Sequence, residues 1–444
     1  MRGSHTRRNF LAMGGGLSLA GLLSACGSPV VTSLTGGQPA TADVIFWHLF
    51  GGGDGENMAT MVDTVQKATG HSVESTLLSW GNPYYTKLSL AASSNRPPDV
   101  ALTHLSRLPT LAQAGLLTPW SETGLGQLGV TQDKFTPAAW EKATIDGETW
   151  ALPLDTHPFV LYYNEALAKQ AGLLNDAGDN LVDISGRERF VEALTELKKA
   201  SGKYGVTMPT ITDPSTVWRW FYTVYSGLAG PIVSDSGTEV TVDNDAMNEA
   251  FAFIQSLTQE LGLMGASITP DLAKQQFSNG DAGFLLDGVW NIALYRDVKD
   301  LKFNMVPIPA LLGDKPVAYA DSHALIIPRS SARSTEREGY AEQFIQGILG
   351  QSAVWAGGGH VPAWLPVQES AAFKALSPQK NYVDAAFNAV YDPAGWYTGA
   401  GSDFQNQMGG VISTVITGAT KPQSGTSQIK RALRQFASTN APVS

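Results

Sequence analysis

What most limits the fold of this chain is an alternation, repeated along its length, of short apolar strands, loops and amphipathic helices. Val44-Ile45-Phe46-Trp47 reads as a strand and runs into Gly51-Gly52-Gly53-Asp54-Gly55. Glu56–Lys67 then carries Met58, Met61, Val62 and Val65 at helical spacing, with Asp54 placed as its N-cap. Ser72–Leu78 and Tyr84–Ala92 repeat the unit, as do Pro98–Leu102 and Leu108–Ala114, the last closed by Gly115. Thr149–Leu154 and Val160–Tyr163 are extended. Glu188–Ala200, Asn244–Leu261, Leu272–Ser278, Glu336–Leu349 and Gln428–Ala437 have helical patterning. This alternation predicts an α/β fold of mostly parallel sheets with helices on both faces. No fixed-period repeat argues for a solenoid.

Ahead of the first strand lies an address. Thr6-Arg7-Arg8-Asn9-Phe10-Leu11 looks like a twin-arginine export signal, and Leu23-Ser24-Ala25-Cys26 resembles a bacterial lipobox. The apolar stretch between them, Leu11–Leu23, is too short for a permanent bilayer span. The expectation is a signal peptide over 1–25, a lipidated Cys26, and a flexible tether to residue 42 rich in Gly, Ser, Thr and Pro. Cys26 is the only cysteine, so the mature chain has no disulfide. Diacylation of Cys26 would supply the two chains that stable anchoring needs. Formal charge is −10, and loss of Arg2, Arg7 and Arg8 makes it more negative, which argues against nucleic acid or anionic lipid as partner.

In open parallel sheets, ligands bind at the carboxyl ends of strands. His48, Asp54, His104, Asp155, His157, Asp287, Trp290, Asp321 and His323 all fall just after predicted strands, as does the glycine loop containing Gly52. Five of the seven histidines lie beside strands, His360 among them. The glycine loop lacks the pattern of a dinucleotide fingerprint or P-loop, so it reads as a turn offering N–H groups to hydroxyls. No cofactor is expected. No His-x-x-His or Glu-x-x-His pair marks a metal site, and no Gly-x-Ser-x-Gly marks a serine hydrolase.

The chain also resembles a known family, the extracytoplasmic solute-binding proteins of ATP-binding-cassette (ABC) importers, in the maltose-binding-protein-like group. The resemblance covers nearly all of 43–444. It is carried by Pro97-Pro98-Asp99-Val100 with Ala114-Gly115-Leu116-Leu117, and by Asp146-Gly147-Glu148-Thr149-Trp150-Ala151-Leu152-Pro153 with Leu161-Tyr162-Tyr163-Asn164. Further along, Phe277-Ser278-Asn279-Gly280-Asp281-Ala282-Gly283 through Gly288-Val289-Trp290, Pro307-Ile308-Pro309, and His323–Pro328 continue the match in order.

The resemblance implies a two-lobed type II periplasmic-binding-protein fold without enzymatic activity. Lobe one would comprise 43–155 plus 322–375, and lobe two 156–321 plus 376–444. A carbohydrate would lie in the cleft and pass to permease subunits, the binding protein itself acting as a monomer. Sugar rings need flat aromatic faces and a hydrogen-bonding rim. Trp290 is the first candidate, followed by Trp80 with Tyr84, Trp218 or Trp220, and Trp396. Trp218 and Trp220, two apart on a helix, cannot both face one cleft. The polar rim would draw on His48, Asp54, His104, Asp155, His157, Asp287, Asp321 and His323, with Gly52 and Gly358 beside them. Rival readings are an exported glycosidase using two cleft carboxylates, and a metal- or glycerophosphodiester-binding protein of the same fold.

Overall fold

The computed structural model describes residues 42–441. Cys26, the export signal and nearly all of the tether lie outside the described residues. Along the chain, the elements that build the site are β1 (Val44–His48), α1 (Gly52–Thr69), β2 (Val73–Leu77), α2 (Asn82–Ser93), β3 (Val100–His104), β4 (Leu152–Pro153) and β5 (Asp155–Asn164). Then come α3 (Arg187–Ser201), β6 (Tyr204–Thr207), α4 (Pro214–Ser226), α5 (Asn244–Gln259), β7 (Ala282–Gly288), β8 (Phe303–Pro307), β9 (Ala318–Asp321) and β10 (His323–Ile326). The chain closes with α6 (Thr335–Gly350), α7 (Ser352–Gly357), β11 (Val361–Pro362), β12 (Ala389–Val390), α8 (Asp403–Ile416) and α9 (Pro422–Ala437).

One sheet has the order β2-β1-β3-β10-β4. The other has the order β12-β9-β5-β7-β6, with β8 and β11 also pairing with β5. Each has its own hydrophobic core. Phe46, Leu102, Leu325 and Phe344 belong to the first core, and Leu161, Trp220, Phe251 and Leu285 to the second.

The sheets are mixed rather than mostly parallel. β1 pairs in parallel with β2 and β3, but β10 runs antiparallel to β3 and β4. In the second sheet β5 is antiparallel to β7, β8, β9 and β11. The cause is connectivity. The chain leaves the first sheet at β4 to enter the second as β5, and returns from β9 to the first as β10, so an outgoing and a returning strand lie side by side with opposed directions.

Local chemistry explains several boundaries. α1 starts at Gly52, with Gly51 extended at its N-cap, and no side chain caps it. Asp54 is therefore a first-turn residue rather than the cap, where its charge still suits the helix N-terminus. α4 is capped by Asp213, whose carboxylate accepts from Thr216 N at 3.0 Å. Asp99 of the Pro-Pro-Asp-Val motif is scaffold. It accepts from Ile45 N at 2.8 Å and from Arg337 Nε at 3.1 Å, tying β1 to α6. Among the described residues no helix is long and apolar enough to cross a membrane.

Candidate functional site

A cavity of about 320 Å³ opens where the chain passes between its sheets. Leu49, Phe50, Gly51 and Trp80 line it from loops of the first sheet, Asp54 from the first turn of α1 and His104 from the end of β3. Asp213, Ser215, Arg219 and Trp290 line it from the second, and His157 and His323 from the crossing strands. The volume is at the lower end of the range for small-molecule sites.

Two indoles from opposite sides give it flat walls. Trp80 is 47% exposed in the turn before α2. Trp290 follows β7, and the Arg219 guanidinium sits 4.8 Å from its ring centroid, covering one face. Trp290 can lie there only because residue 288 is glycine: a Cβ on Gly288 would come within 2.1 Å of the ring. Arg219 makes no ion pair among the described residues, and its Nε is buried without a hydrogen bond.

Beneath this space the crossings bring histidines together. β10 pairs with β3 so that His323 faces His104, and β9 pairs with β5 so that His157 faces Asp321. His157 and His323 stack at 4.2 Å, and His104 lies 4.7 Å from His323. The third crossing brings His360 beneath them through Gly359. Gly359 has φ +103°, and a Cβ there would meet Val289 O at 2.1 Å.

At the centre is Asp155, fully buried. Its Oδ1 accepts from His323 N at 2.8 Å and lies 3.0 Å from His157 Nδ1. Its Oδ2 accepts from Trp355 Nε1 at 2.6 Å, and lies 2.8 Å from His323 Nδ1 and 2.9 Å from His360 Nδ1. His360 Nε2 is 3.1 Å from Asp54 Oδ1.

Burial alone would raise the Asp155 pKa, but His323, His157 and His360 around it hold it well below the usual carboxylate range. Burial would likewise lower His360, yet Asp54 and Asp155 hold it up to about 10. Burial, then the neighbouring His323, pushes His157 down to about 3, and burial first among several causes puts His104 well below the usual imidazole value. The imidazoles of His104, His157 and His323 thus face the cavity, with the Asp155 carboxylate and the His360 imidazolium buried beneath them, and imidazole nitrogens can donate to or accept from hydroxyl groups.

Of the residues singled out from sequence, Asp54, Trp80, His104, His157, Trp290 and His323 line the cavity, and Asp155 lies directly below it. Others stand elsewhere. Trp218 and Trp220 are both fully buried in the second core, which corrects the expectation that one faces the cleft; Trp218 Nε1 donates to Asp392. It is Arg219, between them, that the helix turns toward the cavity. Tyr84 is also core, its hydroxyl donating to Leu102 O at 2.5 Å. His48 sits behind Phe50, accepting from Phe50 N at 3.2 Å, and burial pushes its pKa down to about 4.

Asp287 faces its own turn. It accepts from Gly288 N, Asn291 Nδ2 and Tyr295 OH, while burial raises its pKa to about 6. Asp321 accepts from Ser106 N and Ser322 N, joining the two sheets, and burial raises it to about 7. Trp396 packs against the second core and its carbonyl accepts from Thr110 Oγ1. Gly358 is packed against Asp54 and Asn57 rather than open to the cavity, and Gly52 has no neighbour within 4 Å of where a Cβ would sit.

Sequence reasoning missed Asp213, Ser215, Arg219 and the site position of His360. The Asp-Pro-Ser-Thr run at 213–216, a helix-start pattern, and the place of His360 beside a strand were the signals that marked any of them.

The chain belongs to the bacterial extracellular solute-binding protein family, whose profile matches residues 60–402. It is therefore a member of an extracytoplasmic class of solute-capturing proteins. It is 24% identical over 331 residues to a maltooligosaccharide ABC transporter solute-binding lipoprotein of Streptococcus pneumoniae, a match spanning 69% of this chain and 72% of the relative. Its fold is similar to that of the GacH receptor of Streptomyces glaucescens, solved unliganded and with acarbose, at TM-score 0.73 and 20% identity, covering 89% of this chain and 98% of that one. It is also similar to UgpB from Mycobacterium tuberculosis in complex with glycerophosphocholine, at TM-score 0.72 and 18% identity, covering 88% and 98%. The fold is the two-lobed α/β architecture of these binding proteins.

Proposed function

We propose that this protein captures a carbohydrate between its two lobes and delivers it unaltered to the permease of an ABC importer, with ATP hydrolysed by a separate subunit. The observation that carries this reading is the cavity itself. Indole walls from opposite sheets, Trp80 and Trp290, stand over a floor of imidazole and carboxylate groups. That pairing of apolar faces with a hydrogen-bonding rim matches a pyranose ring and its hydroxyls. The junctions at Leu154 and Ser322 serve as hinges, and ligand favours the closed arrangement because only there do both walls touch it. Cys26 carries the lipid anchor after twin-arginine export, a reading supported by the lipobox and by the name of the streptococcal relative. The boundaries 43–155 plus 322–375 and 156–321 plus 376–444 serve as working limits of the lobes.

Arg219 favours a second reading. A guanidinium lining the cavity with no ion pair among the described residues suits an anionic ligand group, such as a phosphodiester or a uronate. A thermal-shift screen over neutral oligosaccharides, uronates and glycerophosphodiesters at one concentration separates the two, since a ligand stabilises the folded state by RT ln(1 + [L]/Kd) and the tighter ligand gives the larger shift. Stabilisation by neutral oligosaccharides supports capture of a sugar. Stabilisation by the anions alone, abolished in Arg219→Met, supports the second reading. Recovery of cleaved sugar would instead indicate a glycosidase.

A further inference from the structure

Three imidazoles and one carboxylate meet at the base of the cavity, brought there by three separate passes of the chain. Asp155 and His157 open β5, His323 opens β10, and His360 precedes β11. All four are buried, and one ligand atom from each lies within 4.8 Å of the others.

Hydrogen bonding alone does not satisfy this cluster. Asp155 Oδ2 has two lone pairs and three claimants: Trp355 Nε1 at 2.6 Å, His323 Nδ1 at 2.8 Å and His360 Nδ1 at 2.9 Å. His360 Nδ1 is the loser. It is fully buried, lacks the alignment of a hydrogen bond and has no other partner. We propose that Asp155, His157, His323 and His360 form a binding site for a zinc-class divalent cation, which replaces protons on the three Nδ1 atoms and gives every lone pair an acceptor.

The surroundings already have the form that metal sites require. His360 hands its far nitrogen to the Asp54 carboxylate, and the Asp155 carboxylate is held by the Trp355 indole N–H. Such outer partners fix the orientation of ligating side chains. Three imidazoles with one carboxylate is a donor set suited to zinc. The Nδ1-to-oxygen distances of 2.8–3.0 Å must widen to about 3.3 Å, the edge of a tetrahedron with bonds near 2.0–2.1 Å. Those pairs move by a few tenths of an ångström, and the wider separations among the four ligand atoms, up to 4.8 Å, must close toward the same edge by up to about 1.5 Å. Because the ligands span all three crossings, an ion here would pin the hinge region. The site does not depend on the identity of the captured solute.

The test uses the full chain, without an added histidine tag, stripped with chelator and titrated with Zn²⁺ alone. One equivalent should bind, as read by calorimetry and elemental analysis. X-ray absorption of the zinc-loaded protein should show three imidazole ligands. Asp54→Asn should weaken binding about 10–100-fold, the usual cost of losing an outer partner. His323→Ala with His360→Ala should exceed that loss. Substoichiometric uptake, unchanged affinity in folded variants, or a spectrum with fewer than three imidazoles would overturn the proposal. The wild-type spectrum decides if the double variant does not fold.

Discussion

Replacing Trp290 with alanine should weaken solute binding by an amount that its surroundings fix. A tryptophan side chain buries about 150–250 Å² when fully covered. Arg219 already covers one face, so a ligand can claim little more than the other, roughly 60–100 Å². At about 25 cal/mol per Å², that is about 1.5–2.5 kcal/mol, or a ten- to sixtyfold rise in Kd. Trp290 also holds Arg219 in place, so any ligand contact to the guanidinium should loosen in the same variant. Isothermal titration with the tightest ligand from the thermal-shift screen reads the effect, with circular dichroism confirming an intact fold. A Kd within twofold of the parent, in a folded variant, would falsify the assignment of Trp290 as a cavity wall.

Other outcomes follow from the same geometry. Gly288→Ala places a methyl where the Trp290 ring lies, so it should cut affinity to a degree comparable with Trp290→Ala, measured by the same titration. Asp287→Asn should stabilise the protein at pH 8 by up to about 3 kcal/mol in denaturant melts. Burial raises this carboxyl from 3.8 to about 6, so the folded state holds the proton more tightly and stability falls as pH rises through that window. The benefit should vanish below about pH 4, where Asp287 is protonated whether folded or not; equal stability at pH 8 would show that its hydrogen bonds already offset burial. Small-angle scattering should show compaction on ligand addition, whereas an unchanged radius of gyration would remove closure from the account.

Elements with a strong local period were readable from sequence. β1, β3, α3 and α5 fall close to their expected places because apolar spacing reports a buried face directly. Gly115 takes the left-handed conformation expected after a helix, at φ +63°. α8 was not anticipated, since Gly409 and Gly410 interrupt its pattern; Gly409 is required because a Cβ there would meet Pro214 O at 2.0 Å. Site residues near strand ends were legible in part. His104, His157 and His323 follow from strand placement, but their convergence depends on antiparallel register between segments more than 150 residues apart in sequence. The same long-range pairing hid the ligand set around Asp155 from any search for closely spaced histidines. Helix phase misled at 218–220. Attention to the two indoles passed over Arg219, because their chemistry suits a sugar wall as well as it suits a core.

The central claim is that the space between Trp80 and Trp290 holds an intact carbohydrate. A crystal structure grown with the best oligosaccharide from the screen tests it most directly. The expected result is an uncleaved sugar lying against the free face of Trp290, with its hydroxyls on His157, His323 or Asp54. A sugar bound elsewhere on the surface, or hydrolysed products in the cavity, would contradict it.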